Sequence, residues 1–282
     1  MRLSTVICNY NTRAELARCL DSLERTSRDF PHEIIVVDNG SRDGSAAMVR
    51  EQFPDVTLID AGANLWYSGG NNRGIQAARG EYVLLLNPDT VIVEPLGRIV
   101  DYLDAHPGVG AVTAQERFAD GRVQFTASRL AGYADFVLSY TLIGAVLRGW
   151  RERRRRRMWY DGWARDATRP IEVAPGSFLM ARRDILARIG GFDERLKLFF
   201  TDDDLCRRIL GTGAAIHYVA DYWLIHDEHA SIDQVPRLTQ RIYFEDLLAY
   251  TRKYHGRAAA WVLAALLVPT RIGMALKRTV RT

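Results

Sequence analysis

The feature that most constrains the fold is a plan repeated along the first third of the chain. A short, wholly apolar run ends in a polar residue, a loop of small residues follows, and then come apolar side chains at helical spacing. LSTVICN at 3–9 reads as the first buried strand, and Thr12 and Glu15 after it have capping-box spacing ahead of Leu16, Leu20 and Leu23. EIIVVDNGSRDGSAAMV at 33–49 repeats the plan with Asp38 at the strand end, VTLID at 56–60 is a third strand, GGNNRGIQAAR at 69–79 leads into a third helix, and EYVLLL at 81–86 is a fourth strand. Runs that are apolar throughout belong to strands covered on both faces, and strands alternating with helices give a parallel sheet with right-handed crossovers.

Further along, Pro95 sits where a first helical residue should, with Leu96, Ile99, Val100 and Leu103 on one face, and VGAVTA at 109–114 is another strand. Residues 115–170 have few turn signals and read as a partly helical insertion that includes the arginine run RERRRRR at 151–157. VAPGSFLMARR at 173–183 reads as strand, loop and strand, and DILARIGGFDE as a short helix ended by Gly190. The segment FFTDDDLCRRILGTG gives a helix from near Asp202 to Gly211. AIHYVA and YWLIH read as two short strands, and 237–254 as the final helix.

At 282 residues, 48% hydrophobic and 26% charged, the chain has the composition of a folded globular protein. Cys8, Cys19 and Cys206 are odd in number and have no CxxC spacing, which indicates neither a disulfide framework nor a zinc knuckle and fits a reducing cytoplasm. The start at Met1 and Arg2 is too short for a signal peptide, and no window reaches the roughly 18 apolar residues of a membrane span. The net charge of +4 is unevenly distributed: the arginine run carries +5 and residues 247–282 carry +7, which leaves −8 elsewhere. Segregated positive charge points to an anionic partner such as lipid headgroups or nucleic acid.

Ligands of open parallel sheets bind at the C-terminal ends of the strands. Four polar clusters fall there: Asn9-Tyr10-Asn11, Asp38 to Ser41, Asn64 with a loop over Gly69 to Asn72, and Asn87-Pro88-Asp89. Neither G-x-G-x-x-G nor G-x-x-x-x-G-K-[ST] occurs, so a dinucleotide-binding Rossmann domain and a P-loop are disfavoured.

Taken in order, VICNYN, VVDNGSRDGS, GGNNRG, LLLNPDT, PGSFLMARR, GGFDE and FFTDDDLC resemble family 2 of the inverting nucleotide-sugar glycosyltransferases with the GT-A fold, and within it the bacterial rhamnosyltransferases that use dTDP-rhamnose. The resemblance spans about residues 3–250 and implies an α/β GT-A domain over 1–254, with a Rossmann-like, mostly parallel sheet. Its nucleotide-binding half would be about 1–114 and its acceptor-side half about 171–254, with the insertion at 115–170 between them. LNPD stands where the family has its Asp-x-Asp motif, so Asp89 is implied to bind a divalent metal, Mg²⁺ or Mn²⁺, while Asn87 replaces the first carboxylate and is implied to contact the ribose or a metal-bound water. His226, at the end of YWLIH, is implied to complete the metal site, with His229 as the alternative. Asp38 would accept the N3–H of uracil or thymine, Asn9, Asn11, Asn64 and Asn71 would line the ribose and diphosphate, and Gly176 with Ser177 would lie beside the donor sugar.

Acidic residues in a first helical turn are ordinarily explained by the helix dipole. Aligned on Asp-Leu-Cys with the family's Glu-Asp-x-Asp-Leu, however, the segment puts Thr201 at the Glu and Asp202 at the general base, with Asp203 and Asp204 as alternatives. The expected activity is transfer of a sugar, with inversion, from dTDP-rhamnose or a UDP-sugar to a saccharide acceptor in cell-surface polysaccharide synthesis. AAAWVLAALLV at 258–268, within a basic C-terminal segment 255–282, is too short to span a bilayer. It is expected either to rest on the cytoplasmic face of the membrane, beside a lipid-linked acceptor, or to pack on the domain or across a homodimer interface through Trp261, Leu263 and Leu266. The competing reading is a non-catalytic protein that holds anionic lipid or nucleic acid through its arginines, but that reading leaves the strand-end carboxylates unexplained.

Overall fold

The computed structural model describes residues 1–27, 30–227 and 236–279. The expected alternation forms β1 (Leu3–Asn9), α1 (Arg13–Thr26), β2 (His32–Asp38), α2 (Ser45–Gln52), β3 (Thr57–Asp60), α3 (Trp66–Ala77) and β4 (Tyr82–Leu86). These strands lie in the order β3, β2, β1, β4, all parallel, with Asn9 opposite Asp38 and Asp38 opposite Asp60. Strand side chains alternate between faces, so Tyr82, Leu84 and Leu86 join the core that includes α1 while Val83 and Leu85 join the core on the other face.

The Thr12 hydroxyl donates to Asn9 Oδ1 at 2.7 Å and does not cap α1, so no capping box forms. Gly69 to Asn72 lie inside α3 and not in a loop, because their small side chains let this helix sit directly on β1. A Cβ at Gly74 would fall 2.2 Å from Val6 Cγ1, and one at Gly70 would fall 2.4 Å from Cys8 Sγ; contact this close requires glycine.

The second half contains β5 (Thr90–Ile92), α4 (Leu96–Ala105), β6 (Val109–Arg117), α5 (Tyr133–Tyr140), α6 (Leu142–Val146), α7 (Arg148–Met158), β7 (Arg169–Ile171), β8 (Phe178–Arg182), α8 (Arg183–Ile189), α9 (Thr201–Leu210), β9 (Ala215–His226) and α10 (Pro236–Thr279). Here the sheet is mixed: β8 runs antiparallel between β4 and β6, β9 is parallel to β6, and β5 and β7 are antiparallel to β9. AIHYVA and YWLIH form one strand, β9, whose register against β6 shifts after Ala114. Only Phe178–Arg182 of the 173–183 stretch is a strand; Val173 makes a lone bridge with Ser128. Pro95 precedes α4 with extended backbone instead of opening its first turn, whereas Gly190 ends α8 at φ 76° as expected.

α10 is kinked at Gly256, which adopts φ 88° and ψ 167°. The second limb folds back along the first, with Leu263 and Leu267 buried among Leu247, Tyr250 and Phe136, and with the Arg271 guanidinium 5.8 Å from the Phe244 ring. The apolar 258–268 segment therefore has two faces. Leu263 packs, as one expectation held, while Trp261, Val262 and Val268 are exposed. No described helix is long and apolar enough to cross a membrane. His229 lies outside the described residues.

Candidate active site

β4 is followed by the Asn87-Pro88-Asp89 turn and then by β5, which pairs antiparallel with β9 so that Thr90 faces His226. This pairing brings Asp89 to His226, with Oδ1 3.5 Å from Nε2. Asp89 Oδ1 is buried and accepts no hydrogen bond. Buried carboxylate oxygens are normally bonded, so an orphan aimed at an imidazole nitrogen marks a place for a cation. The other ring nitrogen, Nδ1, lies 3.0 Å from Glu116 Oε2, and Glu116 is fully buried on β6 and also accepts the Ser177 hydroxyl. A carboxylate behind a histidine orients the ring and raises its basicity, as in metal-ligating histidines.

One carboxylate oxygen and one imidazole nitrogen fit Mg²⁺ or Mn²⁺, which are commonly held by few protein ligands, with substrate phosphates and water completing the shell. No cluster of three or more His, Cys, Asp or Glu forms a complete cage among the described residues. Burial by itself would lower the pKa of His226, but the Asp89 and Glu116 carboxylates raise it to about 10.

Asp202 lies in the first turn of α9, just after Phe200, whose φ of 58° is uncommon for a bulky side chain. Its Oδ2 accepts the Gly176 N–H at 3.0 Å and its Oδ1 the Thr201 hydroxyl at 3.3 Å. Burial raises its pKa to about 6, against the lowering effect of the Gly176 hydrogen bond. A carboxylate that loses its proton near neutral pH is matched to general-base work. A Cβ at Gly176 would lie 2.3 Å from the Tyr67 hydroxyl and 2.6 Å from Asp202 Oδ1, so any larger residue there would displace one or both side chains.

The other two acids of the triplet differ in their surroundings. Asp204 is fully buried and pairs with Arg208 at 2.7 Å, with Lys253, and with the Tyr254 hydroxyl at 2.7 Å. Its charge serves the packing of α9 on α10. Asp203 is pushed up to about 7 by burial and by the neighbouring Asp202.

Asp202, Asp89, Asn87, Asn64 and Gly176 line one cavity of about 350 Å³, together with Cys8, Tyr10, Asn39, Trp66, Tyr67 and Ser177 on one side and Leu198, Phe199, Leu238 and Ile242 on the other. The remaining expected residues brace its wall. Asn9 Nδ2 donates to Asp38 Oδ1 at 2.9 Å and to Ser41 Oγ at 3.1 Å, while Asp38 Oδ2 accepts the Ser41 N–H at 2.9 Å. This network ties the ends of β1 and β2 together. Asn11 Oδ1 accepts the Arg42 N–H at 2.8 Å, and Asn71 donates to the Tyr67 carbonyl at 2.9 Å. Asn64 caps the turn at Trp66, accepting its N–H at 2.8 Å.

Sequence reasoning missed further contributors. Glu116 could have been read as an acid on the same strand as VGAVTA had that strand been extended to Arg117. Asn39 sits beside the chosen Asp38, and Tyr67 was hidden by placing the helix start too late. Asp246, in the first limb of α10, carries no sequence signal: its carboxylate accepts the N–H groups of Lys197, Leu198 and Phe199 at 2.9–3.1 Å and so fixes the apolar end of the cavity.

The chain is 29% identical over 253 residues to an N-acetylglucosaminyl-diphospho-decaprenol L-rhamnosyltransferase of Mycobacterium tuberculosis, an alignment that covers 83% of this chain and 78% of the relative. It is also 29% identical over 248 residues to an O-antigen biosynthesis protein of Myxococcus xanthus, where it spans 82% of this chain but only 18% of that protein. Among solved structures, the fold matches a mannosyltransferase of Pyrobaculum calidifontis in complex with GDP-Man and Mn²⁺ at a TM-score of 0.60 and 19% identity, covering 99% of this chain and 80% of that one. It matches GalNAc-T7 with UDP, GalNAc and Mn²⁺ at a TM-score of 0.59 and 14% identity, covering 80% of this chain and 44% of that one. Residues 4–190 match glycosyl transferase family 2, and with that match the alternating fold has its explanation: the chain belongs to this family.

Proposed function

We propose that the protein is an inverting rhamnosyltransferase that moves rhamnose from dTDP-rhamnose to a hydroxyl of a lipid-linked saccharide in cell-surface polysaccharide synthesis. The observation that carries this reading is the placement of Asp202 and Asp89 on one cavity wall, the first held by a backbone N–H and the second with an unbonded oxygen facing His226. The sugar and the lipid-linked acceptor are supported by the mycobacterial relative, whose name specifies both.

In this reading Asp202 accepts the proton of the acceptor hydroxyl as its oxygen attacks the anomeric carbon. The bond from that carbon to the diphosphate oxygen breaks in the same step, and no covalent intermediate forms on the protein. Gly176 keeps the carboxylate aimed, and the absence of a side chain there leaves room for the sugar. Mg²⁺ or Mn²⁺, held by Asp89 and His226, would neutralise charge building on the leaving diphosphate. Glu116, bonded to His226 Nδ1, leaves Nε2 facing Asp89.

Asn64, Asn87 and Gly176 form the donor wall, with Asn9, Asn11 and Asn71 setting the loops that shape it. A carboxylate has about four lone-pair positions and Asp38 fills two within the protein, so it retains acceptor capacity for the base N3–H. The exposed face of the 258–268 segment supports peripheral residence on the cytoplasmic side of the membrane, where a lipid-linked acceptor lies.

The test is transfer to an N-acetylglucosaminyl diphosphate bearing a short lipid chain, with dTDP-rhamnose and UDP-sugars compared as donors. Rhamnosyl transfer giving an anomeric configuration opposite to the donor's is expected. Turnover with a UDP-sugar alone would overturn the donor assignment, and a retained configuration would overturn single displacement.

A further inference from the structure

α6 and α7 pack against the rest of the molecule through one side only. Gly144 turns inward so closely that a Cβ would meet the Leu138 carbonyl oxygen at 1.7 Å, and Arg154 Nε donates to Asp135 Oδ1 at 2.6 Å. The other side carries Leu142, Ile143, Val146, Leu147 and Trp150, with Val146 81% and Trp150 60% exposed. Cations are interleaved with these apolar groups, and the Arg153 guanidinium lies 4.8 Å from the Trp150 ring. Glu152 is matched by Arg155 and Arg156. Arg148, Arg151, Arg153 and Arg157 have no salt bridge to an acid among the described residues and remain an uncompensated positive strip.

The second limb of α10 extends this face. Trp261 is 68% exposed, Val262, Val268 and Ile272 are exposed near it, and the Arg257 guanidinium lies 5.7 Å from the Trp261 ring. Thr270 Oγ1 donates to the Tyr140 carbonyl at 2.9 Å, which joins the limb to the end of α5 immediately before α6. The same Tyr140 bonds the Tyr243 hydroxyl through its own, and the Tyr243 ring packs 4.8 Å from Phe199, which lines the cavity. The exposed apolar face is therefore linked to the apolar end of the cavity through two side chains, Tyr140 and Tyr243.

We propose that α6, α7 and the second limb of α10 form a single surface on which the protein lies against an anionic lipid bilayer, with the apolar end of the cavity beside the membrane. Interleaved cationic and large apolar side chains on exposed helical faces suit the headgroup region, where arginines meet lipid phosphates and valine, leucine and tryptophan reach the acyl boundary. A second copy of the chain would set this positive strip against itself, and a nucleic acid would leave Leu142, Ile143 and Val146 unburied. The inference rests on the proposed lipid-linked acceptor for its purpose, but its test does not need turnover.

The full chain is sedimented with vesicles of phosphatidylcholine alone and of two parts phosphatidylcholine to one part phosphatidylglycerol, at low and high salt. Binding to the anionic vesicles that weakens with salt is expected. A basic group near an anionic surface contributes roughly fivefold, so joint replacement of Arg151, Arg153 and Arg157 by glutamine should weaken binding on the order of 10²-fold. Val146→Ser with Trp150→Ser should weaken binding while the remaining binding keeps its salt dependence. Both variants should retain the thermal shift induced by dTDP, which shows that the fold and donor site are intact. Wild-type protein that ignores anionic vesicles, or variants that bind them as wild type does, would overturn the proposal. So would arginine-dependent capture of single-stranded RNA without vesicle binding, or a dimer that the Val146 and Trp150 changes dissociate. Failure of rhamnosyl transfer with vesicle binding intact would count against the donor assignment alone.

Discussion

Replacing Asp202 by asparagine should sharply reduce turnover and at the same time stabilise the folded protein at neutral pH. Burial raises this carboxyl from an ordinary 3.8 to about 6, so at pH 7 the folded state holds a carboxylate that is less stable there than in the unfolded chain. A pKa displaced by one pH unit corresponds to about 1.4 kcal/mol, and partial exposure at the cavity wall reduces the total to about 1–3 kcal/mol. The sign follows from proton binding: between the unfolded and folded pKa values the native state binds more protons, so its stability falls as pH rises from about 4 to about 6. Asparagine removes this cost and can still accept the Gly176 N–H through its amide oxygen. Thermal unfolding should therefore show the variant a few degrees more stable at pH 7, with the difference vanishing by about pH 4. Turnover of dTDP-rhamnose should fall by about 10²–10⁴-fold while dTDP affinity is kept, because an amide cannot take the acceptor's proton. A loss of tenfold or less, or a stability gain that does not vary with pH, would refute the assignment of the base and move attention to Asp203.

Asp89→Ala should still fold, with some loss of thermal stability because Asp89 helps to hold the charge on His226, and should abolish the dependence of dTDP binding on Mg²⁺ or Mn²⁺ measured by calorimetry. Asp204→Ala should destabilise the protein by about 1.5–3 kcal/mol in denaturant unfolding, since it removes the buried acceptor shared by Arg208, Lys253 and the Tyr254 hydroxyl while Lys253 keeps Asp193, and dTDP affinity of the folded fraction should stay unchanged. Asp38→Ala should weaken dTDP binding by about 1.5–3 kcal/mol, the scale of a hydrogen bond to a charged group. Unchanged affinity would mean that the base is recognised elsewhere.

The alternating architecture and most strand-end positions were determined by the sequence itself. Uninterrupted apolar runs such as IIVV and YVLLL require cover on both faces, and the polar residue that ends each run lies at the sheet's C-terminal edge when the strands are parallel. Asp38, Asp89 and His226 were identifiable on that ground and through the order of the motifs. What remained hidden depended on contacts between distant parts of the chain. β8 runs antiparallel beside β4 and β5 antiparallel beside β9, and it is the second pairing that carries His226 to Asp89 across 137 positions. Three consecutive acids in one helical turn look alike in sequence, but they point about 100° apart, so one reaches the cavity and another a half-buried lysine and arginine. Glu116 became legible as part of the site only when the sheet buried it behind His226, and Asp246 only when α10 brought its carboxylate under the 197–199 loop. Local pattern determines where a strand ends, whereas the groups that face one another across that end depend on the packing of the whole sheet.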